Sequence, residues 1–518
     1  MKIVKRNELM SPLDIGIVVF FLIATMWIGY IKGKKVNTFK DFAVGNQNYA
    51  LPVMVSTTAA TWIGEGTSIG LAGEIYKYGL PMLYVFFTLV LSDLFMGFVV
   101  APRMKGLNHV QSLGAMIKIY YGKTGQVIVS LSALIKMFGH LSAQVLAIGA
   151  IFSVFLGIPL QFGAMLGMGI IILYTAHGGI RSVIFTDVLQ FCFLLVSVPA
   201  IGNLLLMEYG GMNFFQMIPA SHLYFSELSI STRDLVILGI SLAIPFNPAM
   251  MHRFFLNRDV TVMKKSILIT AAIEAPFLFF VAVIGIVAFL KFPGIDPNNA
   301  FTTIISTIPM GLKGIAAAGL IATIMSSADS VMNLSSVLLV NDLVRPFWPD
   351  ISQKKLIKIT KIFTLVAGGL AMIVGLLMSN ILSLMVYFMG FWVPVSLVPI
   401  ASIVFRAKAS QKTLLMGIVA GIFGHLLFTH IPALQGTILP AFFIGLLCNG
   451  VVFTIRYFFI DKQQRCSSPK VEQSDKKLYR LSLLDFLTRH FWQPLNPYQL
   501  TWAPVSAFAV FILGVYVA

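Results

Sequence analysis

Long apolar stretches dominate the chain and recur at short intervals. A helix needs about 20 mostly apolar residues to cross the hydrocarbon core of a bilayer. Fourteen stretches come close to this length or exceed it, at 13–31, 51–73, 79–101, 124–156, 159–176, 184–207, 234–251, 266–290, 314–340, 359–379, 381–405, 413–430, 437–455 and 501–517. The pattern predicts an all-α polytopic membrane protein with about 14 transmembrane helices.

Two of these spans carry residues that interrupt a helix. The span 51–73 contains four glycines and an acid, Glu65, whereas the span 234–251 contains Pro245 and Pro248. Glycine lets the backbone leave helical geometry, and proline removes a backbone donor. These two spans are the first members of two consecutive sets of five spans. Their matching breaks therefore predict two inverted repeats with a binding site at the breaks.

The span pattern also predicts how the chain is organised. The predicted parts are an N-terminal extra helix with a cytoplasmic loop (1–50), a first inverted repeat (51–207), a second inverted repeat (234–405), two additional helices (406–460), a cytoplasmic polar linker (461–500) and a last helix (501–518).

Composition and charge agree with a membrane protein. The chain is 58% hydrophobic and 11% charged, whereas soluble domains are about 25% charged. The net charge of +17 could indicate a nucleic-acid partner, but 28 of the 37 Lys and Arg residues fall in alternate loops. Such a bias marks cytoplasmic loops. It predicts a multi-pass protein of the plasma membrane with both termini outside, in contact with lipids and not with nucleic acid.

The span 314–340 contains the most regular polar pattern. Thr323, Ser326, Ser327 and Ser330 are spaced to share one face of a helix, and Asp329 lies beside them. Oxygen ligands of this kind suit a hard cation. Serines alone would also suit close helix packing, but an intramembrane carboxylate is costly and normally has a partner.

Three segments resemble the sodium/solute symporter family of sugar, proline, pantothenate and choline carriers. They are GGIRSVIFTDVLQ at 178–190, AATWIGEGTSIGLAG at 59–73 and MSSADS at 325–330. The resemblance implies a leucine-transporter-like fold of two inverted five-helix repeats, and alternating access driven by sodium. The ATW-x-G-x-G and SSADS segments are most similar to the choline-transporter branch.

The resemblance also implies ion sites, with one or two sodium ions and no organic cofactor. The main sodium site would use carbonyls and hydroxyls of Ala60, Ile63, Thr323, Ser326 and Ser327. A second sodium or proton site would use Asp187, Asp329 and Ser330.

The substrate would lie between the two breaks. The candidate residues are Trp62, Glu65, Thr67, Phe246 and Asn247. In one interpretation, Glu65 pairs with a cationic solute such as a quaternary amine, which an aromatic cage with Trp62 and Phe246 would hold. In the other, Glu65 is a proton-coupling or structural acid and the solute is neutral or zwitterionic. The chain departs from the choline branch at Glu65, where that branch has glycine, and at Phe246, where it has tryptophan.

Other classes of protein fit the sequence less well. The chain has no Walker A loop, HExxH motif or nucleophile elbow, so we do not expect an enzyme. A transporter-like membrane sensor is the alternative from another class, and sodium-dependent uptake would distinguish it from a carrier. The absence of long external segments favours a prokaryotic inner membrane.

Overall fold

The computed structural model describes residues 10–107, 110–225, 239, 245–377, 381–407, 409–430 and 441–461. Every regular element in these ranges is a helix. Ten helical segments among the described residues, counted together with their π-helical continuations, are long and apolar enough to cross a membrane. The predicted all-α, multi-pass architecture is therefore confirmed.

The main helices are α1 (Pro12–Gly33), α2 (Leu51–Trp62), α3 (Leu71–Tyr78), α4 (Met82–Phe95), α5 (Leu113–Leu156), α6 (Leu160–Glu208), α7 (Pro248–Arg253), α8 (Val260–Lys291), α9 (Leu312–Val337), α10 (Gln353–Leu377), α11 (Ile381–Val404), α12 (Gln411–His430) and α13 (Ala441–Arg456). Shorter α-helices are Phe39–Ala43, Ala101–Arg103, Ala220–Leu223 and Ala300–Thr307, and 3₁₀ turns are Gly211–Met217 and Pro297–Asn299. Four π-helical segments are Gly66–Gly70, Met96–Val100, Leu338–Val344 and Tyr457–Asp461.

The structure divides the apolar stretches differently from the sequence in two places. Helix α6 covers both predicted spans 159–176 and 184–207 and is kinked between them at Gly179, with φ 52° and ψ −144°. A Cβ atom there would approach Phe42 to 2.6 Å, so both the backbone angle and the packing require glycine. The predicted span 51–73 forms two short helices, α2 and α3. The predicted span 501–517 and most of 234–251 lie outside the described residues.

Helix α9 is the centre of the bundle. Its most apolar stretch is 94% buried, against 33% for α10 and 17% for the stretch that contains α13. It packs against α1, α2, α5 and α6. The polar face predicted for this helix is therefore enclosed by protein, whereas the outer helices leave large apolar side chains such as Phe20 and Phe423 exposed, as a lipid-facing surface requires.

One buried carboxylate joins the C-terminal end of α9 to α5. Asp342 accepts hydrogen bonds from the hydroxyl of Ser112 at 2.5 Å and the amide of Gly114 at 3.1 Å. Ser130 at 3.2 Å and Gln126 at 3.3 Å donate to the same carboxylate. Helix α5 is kinked at Gly122, with φ 70° and ψ −171°. Because the donors lie on both sides of Gly122, Asp342 fixes this kink against the π-helical segment that follows α9.

Replacement of Asp342 should therefore destabilise the bundle. We expect Asp342→Ala to lower the free energy of unfolding by about 2–4 kcal/mol, because several buried donors lose their acceptor. The measurement is thermal unfolding of the purified protein in detergent. Asp350→Ala, which removes an exposed carboxylate, is the matched control, and equal shifts for the two variants would contradict this role.

Candidate functional site

The break after α2 exposes backbone that a continuous helix would use internally. Helix α2 ends at Trp62, and Ile63 has non-helical angles of φ −79° and ψ 81°. The chain then passes through Gly64 and Glu65 into the π-helical turn Gly66–Gly70. A Cβ atom at Gly64 would lie 2.6 Å from the hydroxyl of Ser327, so this glycine lets α9 approach the break.

Hydroxyl groups of α9 meet the carbonyls at the end of α2. The hydroxyl of Ser326 donates to the carbonyl of Ala60 at 2.6 Å and to that of Thr323 at 3.2 Å. The hydroxyl of Ser327 donates to the carbonyl of Thr61 at 3.1 Å and to that of Thr323 at 3.3 Å. We call these five residues the hydroxyl cluster.

The hydroxyl cluster contains four of the five residues predicted for the main sodium site. The fifth, Ile63, is fully buried and is the first non-helical residue of the break. Thr61 was not among the residues predicted for the sodium site. Its position between Ala60 and Trp62, at the end of the helix, could have indicated it. Carbonyls of unwound backbone are oxygen donors that can coordinate a hard cation such as Na⁺.

A second polar cluster lies beside the first, and we call it the arginine cluster. Arg253 of α7 donates from Nη2 to the hydroxyl of Thr61 and, at 2.6 Å, to the hydroxyl of Ser330. The same nitrogen lies 3.9 Å from Oδ2 of Asp187. Thr57 donates to this carboxylate oxygen at 2.5 Å. The structure thus brings together Asp187 and Ser330, as predicted, but places a guanidinium between them.

The other predicted acid of this region, Asp329, has partners on α6. Its Oδ2 atom accepts a hydrogen bond from the hydroxyl of Tyr174 at 2.6 Å and one from Thr186 at 3.5 Å. All three side chains are buried. Asp329 therefore belongs to the interface between α9 and α6, where a buried carboxylate needs donors.

A cavity of about 110 Å³ lies next to the break. It has room for several water molecules or a small solute. Its lining includes four of the predicted substrate residues, Trp62, Glu65, Thr67 and Asn247. Ser327 also lines it, so the cavity and the hydroxyl cluster share a side chain.

The fifth predicted substrate residue, Phe246, is placed differently. It is not among the lining residues that the structure describes, and its ring packs edge-on against Phe95 with centroids 6.4 Å apart. Its backbone has φ 67°, which costs free energy in a non-glycine residue. Asn247 follows, and its side chain accepts a hydrogen bond from the amide of Ala249 at 3.0 Å to begin α7.

The cavity contains charged groups of both signs. Lys136 and His140 of α5 line it together with Glu65, and their spacing of four residues puts them on one helix face. Nδ1 of His140 lies 3.7 Å from Oε1 of Glu65. Neither carboxylate oxygen of Glu65 accepts a hydrogen bond from another described residue. Sequence reasoning missed Lys136 and His140 because one sequence does not show which spans are neighbours.

A helical bundle with a broken helix beside a polar cavity is typical of membrane transporters of the inverted-repeat type. The family model of the sodium:solute symporter family matches residues 42–421. The chain therefore belongs to the sodium:solute symporter family, whose members are transporters and not enzymes.

Individual relatives are distant. Sodium/myo-inositol cotransporter 2 of Oryctolagus cuniculus is 24% identical over 412 residues, which cover 69% of this chain and 60% of that protein. The chain thus spans less than two thirds of the length of this relative. The sodium/glucose cotransporter of Vibrio parahaemolyticus is 22% identical over 440 residues, which cover 77% of this chain and 80% of that protein.

Solved structures confirm the leucine-transporter-like fold. A Na⁺-coupled sialic acid symporter, in a substrate-bound outward-open state, superposes with a TM-score of 0.75 at 18% identity, covering 87% of this chain and 98% of that one. MHP1, a nucleobase-cation-symport-1 family transporter, gives a TM-score of 0.56 at 11% identity, covering 84% of this chain and 97% of that one.

Sodium should stabilise the protein through the hydroxyl cluster. A ligand that binds only the folded state raises the midpoint of thermal unfolding, so we expect NaCl to raise it relative to KCl or choline chloride. Ser327→Ala should remove most of this difference. Ser335→Ala is the matched control, because Ser335 makes an equivalent bond within α9, to the carbonyl of Val331 at 2.8 Å. An undiminished sodium effect in Ser327→Ala would contradict the assignment.

Proposed function

We propose that the protein is a sodium-coupled symporter that carries a small zwitterionic solute by alternating access. The observation that supports it most is the sharing of Thr61 and Ser327 between the cavity and the hydroxyl cluster. An ion and a solute that both contact the broken backbone hold the same protein groups in place. Each then raises the affinity for the other by an equal factor.

For the main ion site we propose that Na⁺ is held by the carbonyls of Ala60, Ile63 and Thr323 and the hydroxyls of Ser326 and Ser327. The donor set supports a hard monovalent cation, because it contains oxygen only. The serine hydroxyls that donate to carbonyls in the structure would turn their lone pairs toward the ion.

The charges in the cavity favour a zwitterion over a solute that carries only a positive charge, such as choline. Glu65 can pair with an ammonium group, and Lys136 can pair with a carboxylate of the same solute. A quaternary ammonium ion would match Glu65 but leave the buried cation Lys136 without compensation, which is costly. Of the two predicted cage residues, only Trp62 lines the cavity.

The same proposal includes the arrangement in the membrane. The two repeats, 51–207 and 234–405, would move relative to each other around the site at the breaks. The distribution of Lys and Arg supports an orientation with both termini outside. We also propose a prokaryotic inner membrane, which the shortness of the predicted external segments supports.

Uptake into proteoliposomes tests the proposed function. With an inward sodium gradient, we expect uptake of a zwitterionic amino acid or betaine that falls when potassium replaces sodium. The panel also contains choline, glucose and myo-inositol, since carriers named for sugars and inositol are among the relatives. Sodium-dependent uptake of choline in preference to every zwitterion would contradict the solute class.

Charge substitutions in the cavity test the pairing. We expect Glu65→Gln and Lys136→Met each to reduce uptake of the zwitterion by about tenfold or more, because each leaves one buried charge unpaired. Lys136→Met should also shift preference toward cationic solutes. Lys291→Met, which removes an exposed lysine paired with Glu208 outside the cavity, should leave uptake unchanged. Undiminished zwitterion uptake by Lys136→Met would refute the pairing.

A further inference from the structure

Two buried carboxyl groups, Asp93 of α4 and Glu274 of α8, lie near each other outside the hydroxyl cluster and the arginine cluster. Helices α4 and α8 pack against each other. One turn after Asp93, a Cβ atom at Gly97 would lie 2.6 Å from Leu268 of α8, so the two helices come close at this level. Both carboxyl groups are fully buried, and we call them the acid pair.

The polar atoms of the acid pair have no partners among the described residues. None of the four carboxyl oxygen atoms accepts a hydrogen bond there. Thr270 lies one turn before Glu274 on the same face of α8, and its buried hydroxyl also has no partner. Native interiors leave few polar groups unsatisfied. Such a concentration of them at membrane depth indicates a site for an ion or a proton.

No base faces the acid pair in the part of the chain that the structure describes. The two acids act on each other, and the indole of Trp62 lies near Glu274. Of the elements packed against α4 and α8, α2, Gly66–Gly70, Met96–Val100 and Ala300–Thr307 have no titratable side chain. The charged residues on the other packed elements and at the ends of α8 interact elsewhere, and they are Glu74, Lys77, Arg103, Arg181, Asp187, Glu208, Lys264, Lys265 and Lys291.

This composition favours a proton as the ligand of the acid pair. Two carboxylates that lie close together in an apolar interior cannot both be ionised without a compensating cation, because an uncompensated buried charge is costly. A proton supplies that compensation without further ligands. The acid pair therefore holds at least one proton as long as water does not reach it.

The acid pair lies directly beyond the solute cavity. Phe86 and Leu89 line the cavity, and Asp93 follows them on the same face of α4. Trp62 also lines the cavity, and its indole lies near Glu274. Trp62 is the last residue of α2, immediately before the break. A movement of the broken helix would therefore move the side chain that lies between the cavity and the acid pair.

We propose that the acid pair is a proton site and that one proton crosses the membrane with each solute, in addition to sodium. The proposal rests on the proposed function of sodium-coupled symport. A solute that fills the cavity displaces its water, so the acid pair keeps its proton while the solute is carried. When the solute leaves, water enters the cavity, and one carboxyl group releases its proton past Trp62 to that water. The proton therefore moves in the same direction as the solute.

Proton movement by the unaltered protein is the first test. Proteoliposomes contain a pH-sensitive dye, and potassium with valinomycin holds the membrane potential at zero. With an inward sodium gradient, added proline or glycine betaine that is taken up should acidify the interior. Sodium-dependent uptake without acidification would overturn the acid pair as a coupling site. Solute-driven acidification that does not depend on sodium would support the acid pair but overturn the proposed function.

Replacement of either acid is the second test. Asp93→Asn and Glu274→Gln each keep the shape of the side chain, and each should abolish the acidification. The rise in the unfolding midpoint with sodium shows that a variant is folded. Glu208→Gln is the matched control, because Glu208 is exposed and pairs with Lys291 outside the cavity, and it should acidify the interior like the unaltered protein. Acidification that persists in both acid-pair variants would overturn the assignment.

Infrared spectroscopy of the purified protein tests the proton without transport. At neutral pH, the C=O stretching band of protonated carboxyl groups should weaken in Asp93→Asn or in Glu274→Gln and stay unchanged in Glu208→Gln. This readout also applies to a variant that does not transport. A band that keeps its full intensity in both acid-pair variants would show that the pair holds no proton and would overturn the proposal.

Discussion

The unwound backbone between α2 and α3 is the constraint on which the rest of the site depends. At membrane depth, backbone groups that leave a helix must be satisfied by protein or by a water-filled cavity. Here the serine hydroxyls of α9 approach the carbonyls at the end of α2. This contact requires a glycine at position 64, since a side chain there would collide with Ser327. It also places α9 in the interior, and α9 is the most enclosed long helix among those described.

Two of the groups of buried charged residues flank this contact. Glu65, Lys136 and His140 lie on the side of the cavity, whereas Asp187 and Arg253 lie on the other side of Thr61. Each group contains an acid and a base, because an unpaired charge would be too costly in the interior. The first group is open to a solute, and the second is closed by hydrogen bonds.

Much of the site could be predicted from the sequence because it depends on local patterns. The spacing of Thr323, Ser326 and Ser327 fixes a common face on any helix, and the glycines around Glu65 predict a break wherever that span lies. The structure places these two features together. Family resemblance added which carbonyls would face the serines, and Ala60 does so.

The remaining residues of the site depend on which spans are neighbours in space. This cannot be read from a single sequence. Lys136 and His140 lie on α5, far along the chain from Glu65. Arg253 resembles an ordinary basic residue of a cytoplasmic loop, and only its place five residues after Pro248, on the helix that follows the break, signalled an interior position. Phe246 was assigned to the cavity by analogy, but its backbone is left-handed and its ring packs against Phe95.

Equilibrium binding of radioactive sodium to the purified protein tests the central claim most directly. The account predicts saturable sodium binding that is lost or strongly reduced when Ser326 and Ser327 are both replaced by alanine in a protein that still folds. Sodium binding that persists unchanged in this double variant would show that the ion does not bind where α9 meets the broken helix, and would contradict the account.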